Sequence, residues 1–517
     1  MRTRALGLIL ALAAAPVLAQ DDPLSAIDWL GTDLLPRQTA RPLPAPVNPA
    51  DEPPVADSAL APQVDAQPLD APNPAAAGLL PPAATGLPVT LWQGSDAARL
   101  SDLVQATDLA VPAMTGLMTM LLLAEADPPS GPGNGVPFLA ARLDRLLDLG
   151  AVDQAGALLD RAGPRQAVLF DRWAQIGLLT GDGVPACQAL AAEPRLSADT
   201  ALRVYCTARD GDWTRAALIL QTMGALGDMP PRTATLLALF LDPELADDIA
   251  APPPPARPSP LEYRLYEALG EPLPTAALPR AFAVLDLAGN NGWKAQIEAA
   301  ERLARAGTLP ANRLLGLYTL RQPAASGGLW DRVAAFQAFE AALDSDAAGT
   351  RSRALEQLWP QMRSAGLLVP VAALFADRIA GLEFEGRAAL MARYALLLSP
   401  EYEALGARDD DTDPRLRFLS DIARGAAPGV IPDLPHADPV AAAFSGAPMP
   451  ETLQSQLTQG RLGEVILRAM ALFASGAEGN TEDLTDALAT LRRVGLEDAA
   501  RRAALQLVIL DAERARR

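Results

Sequence analysis

Leu484, Leu488 and Leu491 fall at positions i, i+4 and i+7, and after Gly495 a second stripe follows: Leu496, Ala500, Ala504 and Leu507. Each stripe lies on one face of an α-helix. Two such faces joined by one tight turn predict an antiparallel hairpin, with the glycine at the left-handed position that ends the first helix. The same unit recurs at Gly150-AVDQAGALLDRA, Gly211-DWTRAALILQTM and Gly460-RLGEVILRAMALF. Earlier, Asp96 to Leu109 and Met114 to Ala126 read as helices, the second apolar enough to be buried but too short in uninterrupted apolar residues to span a bilayer. From Leu91 onward the pattern predicts an all-α fold, an α-solenoid of antiparallel helical hairpins. At about 35–40 residues per hairpin, the region holds on the order of eleven.

Proline runs punctuate this pattern. Residues 251–260, with Pro252 to Pro255 at their centre, separate a first helical block (91–250) from a second (261–426). Six prolines between residues 427 and 450 set off a C-terminal block, 451–517. Ser259-Pro260 and Asp413-Pro414 each place an N-cap residue before a proline at the first helical position. SPLEYRLYEALG at 259–270 is echoed by SPEYEALG at 399–406, which reads as repeated helix punctuation.

The N-terminal part is built differently. MRTRALGLILALAAAPVLA, residues 1–19, has the basic start, apolar core and small cleavage-site residues of a secretory signal, which places the mature start at Gln20. Residues 36–90 form a Pro/Ala-rich linker, with fourteen prolines between Pro36 and Pro88. Such a stretch lacks the apolar surface that offsets ordering and is expected to be disordered. Between them, residues 20–35 carry a short amphipathic segment: Asp22 and Pro23 can start a helix and Gly31 can end it. Leu24, Ile27 and Leu30 share one side and Trp29 lies beside it. About two turns of helix do not hold alone in water. Leu24, Ile27, Trp29 and Leu30 are therefore read as a weak, reversible docking motif on a tether that spans about 40 Å as a coil.

Composition narrows the class of partner. Against 62 Asp and Glu the chain has 43 Lys and Arg, a formal charge of −19. Without Arg2 and Arg4 of the signal, 41 basic residues remain. That balance opposes nucleic acids and anionic membrane surfaces, which reward clustered basic residues. Few aromatic and β-branched residues fit the helical class. No membrane span is expected after signal cleavage.

The hairpins resemble those of tetratricopeptide-type repeats. Trp173, Ile176, Gly177 and, in the next helix, Ala189 match that motif, while Thr180 stands where a large aromatic belongs. The resemblance implies a TPR-like architecture and assigns no peptide-binding residue. AIDWL, YCTARDGDW, AAERLARAGTL and AASGGLWDR also resemble segments of secreted, alanine-rich helical proteins of rhodobacterial α-proteobacteria, some of which carry an antifreeze label. The single Ala83-Ala84-Thr85 triplet supplies no repeat for such a role. This resemblance implies export to the periplasm or beyond.

Chemistry-bearing residues are sparse. Cys187 and Cys206 in an exported chain predict a disulfide. Measured from a turn near residue 196, they stand at nearly equal heights on two antiparallel helices, and closing that loop contributes about 3 kcal/mol. Asp409, Asp411 and Asp413 match the first, third and fifth positions of a calcium loop. Pro414 occupies the place of its turn glycine and Ser420 that of its bidentate glutamate, so an acidic loop capping the next helix is the primary reading. His436, the one histidine, lies in PDLPHADP without a Gly-x-Ser-x-Gly elbow and reads as an exposed loop residue. SGPGNG at 130–135 and AASGG at 324–328 lack the Gly-Lys-Ser/Thr ending of a phosphate loop. No cofactor is expected.

Two functions remain. One is a non-catalytic scaffold of the periplasm or cell envelope that binds another envelope protein. The other is a peptidoglycan hydrolase or its accessory subunit, with Glu383 and Glu385, or Glu401 and Glu403, as acid and base.

Overall fold

The computed structural model describes residues 73–288 and 291–515, which belong to one compact unit, Ala71–Arg517. The signal, the docking segment and the linker up to residue 72 lie outside the described residues. Within them the chain is all-helical and contains no strand, only the isolated bridges Leu80–Ala124 and Asp96–Ser130. Among the described residues no helix is long and apolar enough to cross a membrane.

The local signals act as the sequence predicts. Gly150, Gly211, Gly460 and Gly495 all adopt left-handed φ values, between 77° and 94°. Ser259 and Glu262 form a reciprocal capping box at the start of helix Pro260–Ala268, with bonds of 2.8 and 3.1 Å. Asp413 accepts from the Arg415 amide at 2.8 Å to start helix Pro414–Ala423. Helices Leu462–Ala477 and Thr481–Arg493 pack as a hairpin, and Leu484, Leu488 and Leu491 are fully buried.

In an open solenoid each unit touches only its neighbours. Here the chain closes on itself, which the hairpin pattern did not predict. The C-terminal helix, Glu497–Ala515, packs against helix Pro112–Leu123 as well as against helices Gly386–Leu398, Pro414–Ala423 and Thr481–Arg493. Its Gln506 side chain accepts the Ala113 amide at 2.7 Å, and its Glu513 accepts the Trp359 indole N–H at 2.8 Å. A second seam joins residues 91–99 to helix Leu462–Ala477. The Gly463 amide donates to the Leu91 carbonyl at 2.9 Å. Trp92 lies over Gly463 and meets Phe138 edge-on at 4.9 Å. One apolar core consequently runs from Leu87 to Ile509, across the proline runs that divide the sequence into blocks.

Closure also orders stretches expected to be loose. Residues 73–90, which the sequence assigns to the linker, pack against the helical core. Leu79 and Leu80 donate to the Leu123 carbonyl at 2.8 and 3.0 Å, and Glu125 returns a bond to Leu80. Gly78 permits this approach, because a Cβ there would lie 2.2 Å from the Glu125 nitrogen. The proline-rich stretch 427–450 contains a helix, Ala437–Phe444, with Val440 and Phe444 buried. His436 precedes it at φ 60° and pairs with Asp511 of the C-terminal helix at 2.8 Å, its side chain only 14% exposed. The exposed-loop reading of His436 is thereby corrected: the last helix passes close enough to supply a carboxylate.

The Gly463 contact has a testable consequence. Glycine to alanine inside a helix ordinarily stabilises by about 0.5–1 kcal/mol. At Gly463 a Cβ would meet the Trp92 ring at 2.5 Å. Gly463→Ala should lose about 1–3 kcal/mol by overpacking. Gly224→Ala, whose Cβ would meet nothing, should gain stability. Urea unfolding of the two variants should move in opposite directions.

Glu464 beside it makes the same seam acid-sensitive. Burial alone would raise its pKa, but the hydrogen bond and charge of Arg468, with the charge of Arg99, hold it below the usual glutamate value. A carboxyl depressed on folding contributes stability that is complete above its unfolded pKa and lost as pH falls through the folded one. Stability should decline on acidification below about pH 4.3. Glu464→Gln should be less stable than wild type at neutral pH, and the two unfolding curves should converge in acid.

Candidate functional site

A second apolar core, from Phe170 to Tyr266, forms a side lobe with its own packing. Its helices are Ala167–Thr180, Val184–Ala192, Thr200–Arg209, Trp213–Leu226, Pro231–Leu241 and Pro260–Ala268. Cys187 and Cys206 are joined in a disulfide, with Cα atoms 5.0 Å apart across a separation of 19 residues. The bond ties helix Val184–Ala192 to helix Thr200–Arg209, the two antiparallel elements expected from the spacing. Asp199 caps the second of these by accepting the Leu202 amide at 3.1 Å.

Helix Trp213–Leu226 is the anomaly of the lobe. Its sequence, WTRAALILQTMGAL, carries no charge after Arg215, yet Ala216 is its one fully buried residue. A helix that apolar is normally covered. Trp213, Leu218 and Leu226 are 48%, 63% and 72% exposed. Among the described residues, six of the ten exposed large hydrophobics lie between residues 168 and 249. Isolated exposed apolar residues are ordinary, whereas a concentration of them marks an interaction surface.

Three neighbouring clefts open on this side of the molecule: the first two meet at the disulfide, the second is lined by this helix, and the third adjoins the first. The first, about 500 Å³, is lined by Cys187, Cys206, Tyr205 and Phe240, with Arg264 and Glu267 at one side. Its glycine wall, Gly177, Gly181 and Gly183, comes from the tight return after helix Ala167–Thr180, where a Cβ on Gly177 would sit 2.8 Å from the Asp182 carbonyl oxygen. The second cleft, about 440 Å³, shares Ala191, Cys206 and Asp210 with the first and is floored by Leu218, Ile219 and Met223. The third, about 590 Å³, shares Gly181, Arg264 and Glu267 and reaches Tyr263, Leu285 and Arg313. Aromatic rings connect the first cleft to the exposed helix: Tyr205 stacks on Phe240 at 5.5 Å, and Trp213 meets Phe240 at 5.7 Å.

The electrostatics of these walls are balanced. Arg264 pairs with Glu267 at 2.6 Å and donates to the Leu178 carbonyl. Burial raises the Tyr205 hydroxyl pKa, opposed by the charges of Arg209 and Arg264. Tyr205 therefore stays neutral around pH 7 and presents a ring and a hydroxyl. Such walls suit recognition of apolar side chains flanked by polar backbone.

The other sequence candidates lie elsewhere. Asp411 is buried between Arg393 and Ser420, accepting from them at 2.8 and 2.5 Å. Asp409 pairs with Arg424 at 2.9 Å, and Asp413 caps its helix. The three carboxylates are thus committed to different partners, and among the described residues no group of three or more His, Cys, Asp or Glu is placed to hold a metal. Glu383, Glu385, Glu401 and Glu403 are exposed, and Glu403 pairs with Arg501 at 3.1 Å. Leu24, Ile27, Trp29 and Leu30 fall outside the described residues. The sequence marks helix Trp213–Leu226 as a hairpin partner, and its run without charge is the signal that points to a site. No family model, no curated protein and no solved structure matches the chain.

The disulfide forms a wall common to two clefts, so its removal should cost fold and site together. Cys187→Ala with Cys206→Ala should lower stability by about 3 kcal/mol. Urea unfolding of wild type in reducing buffer should show a loss of the same size.

Proposed function

We propose that the protein is a non-catalytic, helical-repeat scaffold of the cell envelope, and that its side lobe binds an apolar-faced polypeptide segment of another envelope protein. The observation that carries this reading is the exposed apolar helix Trp213–Leu226, which lines a cleft with Leu218, Ile219 and Met223. The adjoining clefts offer a run of pockets for successive side chains, as concave repeat surfaces do. The location rests on the N-terminal signal pattern, on the likeness to secreted alanine-rich helical proteins, and on the disulfide, which persists in oxidising compartments. The segment Leu24, Ile27, Trp29 and Leu30 is a second, tethered docking element in this reading.

The test begins with affinity purification from an envelope extract, followed by direct titration of the purified partner. Leu218→Asp with Leu226→Asp should weaken that binding about tenfold or more, since burying one leucine is worth about 1.5–3 kcal/mol. Ile27→Asp with Trp29→Asp should weaken it through the tethered element. Unchanged affinity in the Leu218 and Leu226 variant removes the lobe as the binding face. Release of soluble fragments from purified peptidoglycan, lost on changing one glutamate, would replace the scaffold with a hydrolase.

A further inference from the structure

Where the chain closes, three helix C-termini and two N-termini, those of Pro112–Leu123 and Leu368–Ala380, surround a small cavity of about 240 Å³. Arg305 is the last residue of helix Trp293–Arg305, Arg363 lies in the last turn of helix Ala348–Ala365, and Arg514 lies in that of helix Glu497–Ala515. All three arginines line the cavity, together with Val111, Pro112, Leu368, Val369 and Leu510. Its wall contains no carboxylate, in a chain where acidic residues outnumber basic ones by 62 to 43. The three clefts of the side lobe each have at least one.

Each of these arginines has a carboxylate within 4 Å, and each of those carboxylates also serves another partner. Glu301 is held in a two-pronged grip by Arg332 at 2.8 and 2.9 Å and accepts the Tyr318 hydroxyl at 2.7 Å. Arg305 donates through Nε to the Glu301 carbonyl at 3.1 Å, and its Nη2 stands 3.8 Å from the Glu301 carboxylate. Glu513 accepts the Trp359 indole, and Arg363 is likewise 3.8 Å from its carboxylate. Asp511 takes both His436 and Arg514. Arg280 and Arg302 lie behind Arg305; burial and then the neighbouring arginine charges depress both of their pKa values. Arg302 spends its donors on the Thr275 and Leu278 carbonyls, so its charge stays in the local field.

We propose that this cavity binds the carboxylate of a compact apolar acid, with Arg305 and Arg363 holding the anion and the Val111, Leu368 and Leu510 walls enclosing the hydrocarbon. Guanidinium donors match a carboxylate in planar geometry. The volume equals about eight waters of liquid, the size of a short branched acid and not of a nucleotide or sugar chain. The acid could be free, or it could be the C-terminal leucine of a peptide; the chemistry is the same. This site is separate from the side lobe, so either assignment can fail alone.

Calorimetric titration of the full chain tests it, with 4-methylpentanoate, its neutral amide, inorganic phosphate and the peptide acetyl-Ala-Ala-Leu as probes. Saturable binding of one or both carboxylates is expected, with the amide and phosphate at least about tenfold weaker. Binding of the free acid identifies a small metabolite site, and binding of the peptide alone identifies a C-terminus reader. Arg363→Gln and Arg305→Gln should each weaken binding about tenfold or more, whereas Arg203→Gln, in a cleft of the lobe, should leave it unchanged. Arg305→Gln keeps Glu301 paired with Arg332, so it serves if the Arg363 variant fails to fold. No saturable binding in the millimolar range, equal binding of the amide or phosphate, or wild-type affinity in Arg305→Gln overturns the proposal.

Discussion

The packing of the C-terminal helix against both the start and the end of the chain is the constraint on which the other parts depend. Ala500, Ala503, Ala504, Leu507 and Val508 are all buried, because neighbours approach this helix from several sides. Alanine makes that possible, since small side chains let adjacent helices come close. Gln506 fixes the register through the Ala113 amide, and Glu513 does so through Trp359. His436, Tyr402 and helix Pro414–Ala423 all find partners on it. The proline-rich stretch before residue 450 is tied to this helix through His436, while its own helix lies on Thr481–Arg493.

Arginine does much of the polar joining. Arg142 is fully buried and donates to the carbonyls of Leu122 and Ala124, where helix Pro112–Leu123 ends. Burial pulls its pKa down to about 10, so it remains charged at neutral pH. Arg351 likewise reaches the Ser345 and Glu383 carbonyls, and Arg492 those of Ala443 and Gly425. A guanidinium serves two carbonyls from different helices at once, which a lysine ammonium does with less geometric definition. Lys294, the single lysine, is exposed and pairs only within its own helix.

What could be read from the residues was whatever depends on near neighbours. The turn glycines, the Ser259 and Asp413 caps, the buried leucine stripe before Gly495 and the pairing of Cys187 with Cys206 each arise within about twenty residues of chain. The closure could not be read, because nothing in AVP at 110–112 announces a glutamine far away at Gln506. The echo between 259–270 and 399–406 shows the limit from the other side. Ser259 starts an α-helix, while the Ser399 hydroxyl donates back to Leu396 and a π-helical turn, Tyr402–Gly406, follows. Tyr402 is held there by Asp498, so tertiary contact chose between two forms of nearly one sequence. The side-lobe site was half legible: the uncharged helix was visible, but its lack of a cover was not.

The bond between Ala113 and Gln506 spans 393 residues. A ribosome adds about 5–20 residues per second, so Ala113 waits about 20–80 s for its acceptor to be made. Through that interval helix Pro112–Leu123 exists without the surface that covers it. Contacts so distant in sequence slow folding, because a long loop must close before it is rewarded. The molecule is therefore a latch whose closing helix is made long after the helix it covers, and a chain interrupted before residue 497 is not a shorter version of this protein but an unclosed one.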